Sequence, residues 1–353
     1  MKCKNCGGDL RYDPASYGLV CDYCGFRKML HRPSEQVVVE ELDMSTASRN
    51  ANMNWGILRR AVTCKYCSAV TLYDPEQISG ACPYCGSKVV LTPEQTNTGM
   101  APNGVIPFSI TKEQAAANYY KWNKWALWAP EEFRKGKVLG NLTGVYVPYW
   151  TFDADTITTY EGKFGYTTES GDNSYTKYYK KSGVVSVFID DYTTCGSRRF
   201  INDKMFNTIA TFNAKDIIPY TPEALLGFAA EKYTIDLGEA WNISKAKMRK
   251  RFENEACRNE RADCYDKLQM STEFTNIKYR YVLVPMWLTA ANYKGKVYNV
   301  AISGYNGRGN CKRPVSTVKI VLLCVIVGGF FFLVPILGML LTLIMSLIQQ
   351  LFQ

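Results

Sequence analysis

Eight of the thirteen cysteines stand in four CxxC pairs. Cys3 and Cys6 are followed, fourteen residues on, by Cys21 and Cys24, and Cys64 and Cys67 are followed at the same spacing by Cys82 and Cys85. A CxxC turn presents two thiolates from one tight knuckle, and two knuckles close a tetrahedron around a single ion. Zinc suits that ligand set, with metal–sulfur bonds of about 2.3 Å and no geometric demand beyond four soft donors. Four protein ligands leave no position for water, so two structural Zn2+ are expected rather than catalytic ones. A module of some thirty residues is too small to fold on its own core, and metal binding would supply its folding free energy.

The duplication extends beyond the ligands. Tyr12, Asp13 and Pro14 align with Tyr73, Asp74 and Pro75, and Tyr23 and Gly25 align with Tyr84 and Gly86. Asp-Pro lies midway between knuckles, where a ribbon turns. Gly25 and Gly86 follow the last ligand, where a knuckle needs positive φ. This repetition favours two zinc ribbons over redox dithiols. The single histidine, His31, is surplus to both tetrahedra and reads as a surface residue. Cys195, Cys257, Cys264, Cys311 and Cys324 lack CxxC spacing and read as buried or idle thiols.

At the other end, Ile320 to Ile348 runs for twenty-nine residues without a charge, where about twenty suffice to cross a bilayer core. The residues from 318 to 349 are therefore expected to form a transmembrane anchor. A single kinked span is favoured over a tight hairpin at Pro335, because each half would be short for spanning. Lys312, Arg313 and Lys319 precede the segment, which the positive-inside rule places on the cytoplasmic side. Thiolate ligands, with no hydrophobic leader ahead of Cys3, agree with a reducing compartment. A cell-membrane protein with its ribbons in the cytoplasm is expected.

Between these ends the chain must position the ribbons. Residues 1–32 and 61–95 are the ribbons, and 33–60 a polar linker with a short helix around "ANMNWGILRR". Residues 104–316 form an α+β domain. "TKEQAAANYYKWNKWALW" reads as a helix capped by Thr111. "VYVPYWTFDA" and "VLVPMWLTAA" share a Val-Pro-x-Trp core, so two related β-units are expected, with Pro148 and Pro285 at edges or bulges. Lys294-Gly295 marks a hairpin turn, and "GYNGRGN" another turn. A long helix from about Pro222 to Leu268 carries Leu237, Trp241, Ser244, Met248 and Phe252 on one face.

That helix is dense in both charge signs, as in a solvated face laced by ion pairs. Its Lys245, Lys247, Arg249, Lys250 and Arg251 are also candidates, with Lys312, Arg313 and Lys319, for contact with anionic membrane lipid, each adding about 1 kcal/mol near a charged leaflet. Lys177, Lys180, Lys181, Arg198 and Arg199 form a looser basic set. The net charge of +10 favours anionic partners. No GxxxxGK[ST] loop supports a nucleotide-driven motor. Any Ser-His-Asp arrangement would have to use His31. Asp153 with Asp155, or Asp190 with Asp191, could form a carboxylate pair, but no partner signature accompanies either. A non-enzymatic protein is expected.

The ribbons, "YVPYWTFDADT", "IIPYTPEALLGFAAEKY", "VLVPMWL…YKGKVY" and "GYNGRGNCKRPVS" together resemble a bacterial zinc-ribbon membrane-protein family. Its members, YdjG-like, carry a transcription-factor-IIB-type ribbon label or a replication-restart helicase-like one. The second label suits this chain poorly, since motor motifs are absent. The resemblance implies work with phage-shock-protein-A-like and flotillin-like partners at the stressed membrane. The expectation is a membrane adaptor that recruits proteins. A membrane-tethered nucleic-acid-binding protein is the alternative, weakened because few basic residues lie near the second ribbon.

Overall fold

The computed structural model describes residues 1–30, 39–57, 59–73, 79–90, 99–140, 142–170, 173–311 and 313–351. At the N-terminus β1 (Leu10–Asp13), β2 (Gly18–Cys21) and β3 (Arg27–Met29) form an antiparallel sheet in sequential order. Its turn is the one the Asp-Pro step predicts: Asp13 accepts from the Ala15 amide and the Ser16 hydroxyl. Asp74 and Pro75, like His31, lie outside the described residues. The module leans on the body through the Tyr12 amide, which donates to Leu226 O at 2.9 Å, and through the Tyr12 ring against Phe228.

Among its described residues the linker holds β4 (Leu42–Asp43), a 3-10 turn at Met44–Thr46 and one helical turn, α1 (Ala47–Asn50). The helix expected around "ANMNWGILRR" is absent among the described residues. Trp55 is instead buried and donates to Gly99 O, while Arg59, also buried, donates to Phe228 O and Leu225 O. Side chains spent on tertiary contacts at irregular spacing, with Asn52 and Asn54 each accepting from the amide two residues on, keep this segment out of a helix. The second four-cysteine module comprises β5 (Arg60–Thr63), β6 (Val70–Tyr73), β7 (Ser79–Ala81) and β8 (Lys88–Val90).

The body begins with β9 (Gly104–Val105) and α2 (Lys112–Asn123). Thr111 and Gln114 form a reciprocal capping box at the start of α2. The helix stops at Asn123, so "KWALW" is turn rather than helix. After α3 (Glu131–Arg134) come two long strands, β10 (Thr143–Ser170) and β11 (Asn173–Cys195), then α4 (Lys204–Ile209), β12 (Ile218–Pro219) and β13 (Ala229–Glu231). The helix expected from Pro222 is a correction. Residues 222–225 make one 3-10 turn, Gly227 takes φ +85°, and "AAE" is a strand between β10 and β6. The long helix α5 (Leu237–Glu260) starts only at the Asp236 cap and ends at Arg261 in the left-handed region. Next come β14 (Cys264–Tyr293), β15 (Lys296–Ser303), β16 (Gly309–Cys311) and α6 (Thr317–Leu351). Lys294 and Gly295, at φ 51° and 75°, form the expected tight turn between β14 and β15.

The two Val-Pro-x-Trp strands pair with each other, antiparallel, around Val147↔Val284. Their immediate strand neighbours follow the same local dyad. The short strand β13 runs parallel beside Val145 and Tyr146, and β9 runs parallel beside the equivalent Val282 and Leu283. β11 joins β10 at Tyr149, and β15 joins β14 at Met286. Gly196 donates to Pro148 O and Gly304 to Pro285 O, each at 2.8 Å. Trp150 Nε1 donates to Ile235 O and Trp287 Nε1 to Ile110 O. One residue past each isoleucine stands the cap of α5 or α2. The two related β-units are thus the halves of an interlocked duplication, each half supplying the short strand that flanks the other's long one.

The prolines are therefore central, not at edges. Each sits where its strand's outer neighbour changes, β13 to β11 at Pro148 and β9 to β15 at Pro285. The missing N–H falls in that gap, so no ladder bond is lost.

Beyond Trp150, β10, β11 and the first half of β14 continue as a three-stranded blade. Alternate residues Ala154, Thr156, Thr158 and Tyr160 are buried on one face, while Asp155, Ile157, Thr159 and Glu161 are exposed on the other. α5 covers the buried face: Trp241 packs on Phe152 and Phe274, and Phe252 on Phe274.

Candidate metal centres

Both four-cysteine groups assemble. Within each, the sulfurs lie within 4.8 Å of one another. Closest approaches are 3.7 Å for Cys3–Cys24, 3.5 Å for Cys6–Cys21, 3.7 Å for Cys64–Cys85 and 3.6 Å for Cys67–Cys82. A disulfide would need about 2.05 Å, whereas a tetrahedral ion bound at about 2.3 Å sets sulfur–sulfur edges near 3.8 Å. The clusters match the second geometry, so two groups able to hold a metal ion are present.

All four knuckles share one backbone plan. Gly7, Ser68, Gly25 and Gly86 donate to the carbonyls of Cys3, Cys64, Cys21 and Cys82 at 2.8–2.9 Å, and all four have positive φ. Ser68 alone carries a side chain in that strained region. Local hydrogen bonds and burial bias the thiols unevenly. The Phe26 amide and the Asn5 side chain hold Cys24 down at about 6. Despite desolvation, Ser87 and the amides of Tyr66 and Cys67 hold Cys64 at about 6, while burial pushes Cys82 up. A low-lying thiolate in each group is a ready first ligand.

The modules are seated differently. In the second, β6 pairs with β13 and so extends the main sheet. Tyr84, between Cys82 and Cys85, is buried and donates to Glu231 Oε2 at 2.9 Å, and Ser197 Oγ donates to Glu231 Oε1. Arg199 lies over the Tyr84 ring and donates to Cys67 O at 2.6 Å. Burial pushes Glu231 up to about 7, against the pull of Ser197, Tyr84 and Arg199. Sequence reasoning missed this clamp, although one glutamate inside the apolar "GFAAEKY" was the available signal. The equivalent of Tyr84 in the first module, Tyr23, is 82% exposed, and Tyr66 in the second is 80% exposed.

The structure separates the candidate basic residues. Arg313 and Lys319 stand at the root of α6, and Lys319 Nζ donates to the Leu127 and Ala129 carbonyls. Lys312 lies outside the described residues. The α5 set instead lines the blade with partners in the fold. Lys245 lies over Trp241, Lys247 reaches Ile201 O, Arg249 and Lys250 pair with Glu253, and Arg251 reaches Phe188 O. Of the paired carboxylates, Asp153 and Asp191 face Arg280 together with Glu41, at a bulge in β10. Burial pushes Asp153 up to about 6. The arginine fills the centre of that group, as in a structural charge cluster.

α6 is one continuous helix with Pro335 inside it, and it is long and apolar enough to cross a membrane.

Fold and sites together define a duplicated α+β protein with two four-cysteine clusters and an apolar C-terminal helix. This chain is similar to "Uncharacterized protein YdjG" of Bacillus subtilis (strain 168), with 22% identity over 326 residues, covering 90% of this chain and 91% of that protein. No family model and no solved structure matches the chain.

Proposed function

We propose that the chain is a non-enzymatic membrane adaptor. Two structural zinc ions hold its ribbons rigid, α6 anchors it, and the ribbons present a protein-binding surface to the cytoplasm. The supporting observation is the pair of tyrosines on metal-organised knuckles, Tyr23 and Tyr66, both left almost fully exposed. Aromatic side chains on pre-ordered loops lose little entropy on binding and are frequent energetic centres of interfaces. The family resemblance suggests coat or scaffold partners of the phage-shock-protein-A or flotillin kind at stressed membranes. The test is to capture partners from solubilised membranes with the wild type and with Tyr23→Ser/Tyr66→Ser. The variant should keep two zinc ions per chain and lose the partner. Undiminished capture overturns the adaptor reading of these knuckles.

A second reading rests on the blade tip, where Tyr175, Tyr178 and Tyr179 alternate with exposed Lys177, Lys180 and Lys181. Aromatic faces interleaved with cations are the means by which single-stranded nucleic acid is held without sequence preference. Binding of the detergent-solubilised protein to single-stranded DNA, weakening steeply with salt and abolished by Lys177→Glu/Lys181→Glu, would favour it.

A further inference from the structure

The turn that ends α2 exposes three large apolar side chains in succession: Trp125 at 75%, Leu127 at 59% and Trp128 at 47%. This arrangement is held by the fold. Ala126 donates to Asn123 O, and Ala129 donates to Ala126 O. The same turn grips the root of α6. Ser316 N donates to Trp128 O at 2.8 Å, and Lys319 Nζ donates to Leu127 O and Ala129 O, both at 2.7 Å. Lys294 Nζ adds a contact to Thr317 Oγ1 at 3.3 Å. The turn is thus fixed beside Lys319, one residue before the charge-free run begins at Ile320.

Two indoles and a leucine at that level face whatever surrounds the start of α6. Indole, with an apolar ring and one N–H donor, concentrates at membrane–water interfaces. Lys121, Lys124 and Arg313 stand exposed around the turn, with Lys124 Nζ 5.5 Å from the Trp125 ring centre. Cations beside an interfacial aromatic complement the negative surface of an anionic leaflet.

We propose that the Trp125–Trp128 turn is a second membrane contact, seated in the interfacial layer of the same bilayer that α6 crosses. The inference rests on α6 being a transmembrane span. One helix leaves the body free to swing about its root, whereas a helix and a wedge beside it fix the body's attitude.

The test uses the full chain reconstituted into vesicles of phosphatidylcholine and phosphatidylglycerol, with bromine carried either near the headgroup or at the chain end. Of seven tryptophans, only the emission of Trp125 and Trp128 should be lost, and more with shallow bromine than with deep. The variant Trp125→Phe/Trp128→Phe should remove that quenching while still resisting carbonate extraction. If the wild type is itself extracted by carbonate, the transmembrane reading of α6 fails and takes the inference with it. If the protein stays inserted but shallow bromine does not quench, the inference alone is overturned. Blue-shifted, unquenched emission also overturns it, and would mark the turn as covered by protein, such as a second copy.

Discussion

At the scale of single residues, Glu231 is the most consequential side chain outside the ligands. It joins the second cluster's knuckle to the sheet while buried with two hydroxyl donors, and among the described residues no cation forms an ion pair with it. Its folded value of about 7 exceeds the ordinary 4.5, so the folded protein holds this proton more tightly than the unfolded chain. Between those two values the unfolded state binds fewer protons, and stability falls as pH rises through that window. Above it the full cost, on the order of 3 kcal/mol, is present. Asp153, raised to about 6, acts in the same direction. Glu231→Gln should therefore narrow the difference in urea-unfolding free energy between pH 5 and pH 8, leaving the shares of the other carboxyls that burial raises, Asp153 and Asp191. An unchanged difference would show that Glu231 is not the titrating group.

At the scale of elements, the two cysteine modules have the same ligand plan and different attachments. If both clusters bind metal, its loss from the first would free a three-stranded sheet that leans on the body through Tyr12. Its loss from the second would unravel the outer edge of the main sheet, because β5 and β6 hang on β13. Cys3→Ser/Cys6→Ser and Cys64→Ser/Cys67→Ser should each reduce bound zinc from two ions to one per chain by elemental analysis. The second pair should lower the melting temperature more. Equal losses would mean that the β6–β13 junction adds nothing to the module's own folding. The hand-over from one neighbour strand to the next is similarly exacting. A Cβ on Gly304 would stand 2.4 Å from the Phe108 ring and 2.9 Å from Pro285 Cβ. Gly304→Ala should cost about 1–3 kcal/mol, the range for overpacking a tight core, in the same unfolding assay.

At the scale of the whole molecule, β14 links the two ends of the protein. Its last residue, Tyr293, adjoins the turn beside α6, and its first, Cys264, lies at the blade tip, some 100 Å of strand contour away at most. The membrane reading therefore puts the Trp125–Trp128 turn at the lipid, with the tyrosine–lysine tip at the other end of β14. Trypsin added to sealed inside-out vesicles should cut at Lys177–Lys181, and in right-side-out vesicles it should spare those sites. Cleavage only in right-side-out vesicles would reverse the orientation that Arg313 and Lys319 imply.

The cysteine spacing, the capped start of α2, the Lys294-Gly295 turn and the apolar run of α6 were all legible in the chain. Each depends on chemistry local in sequence: two ligands per knuckle, a side chain bonding an amide three residues on, a left-handed turn, a length of hydrocarbon. The Val-Pro-x-Trp echo was visible too, as was most of the buried face of α5. That the two echoes pair with each other, that "AAE" is a strand, and that the prolines sit mid-sheet were decided by contacts between residues far apart in sequence. Burial of Glu231 and Trp55, and the gathering of Trp125, Leu127 and Trp128 at the root of α6, were decided in the same way. Short segments of weak local preference take their form from the neighbours that satisfy their backbone, and only the closed sheet supplies those neighbours.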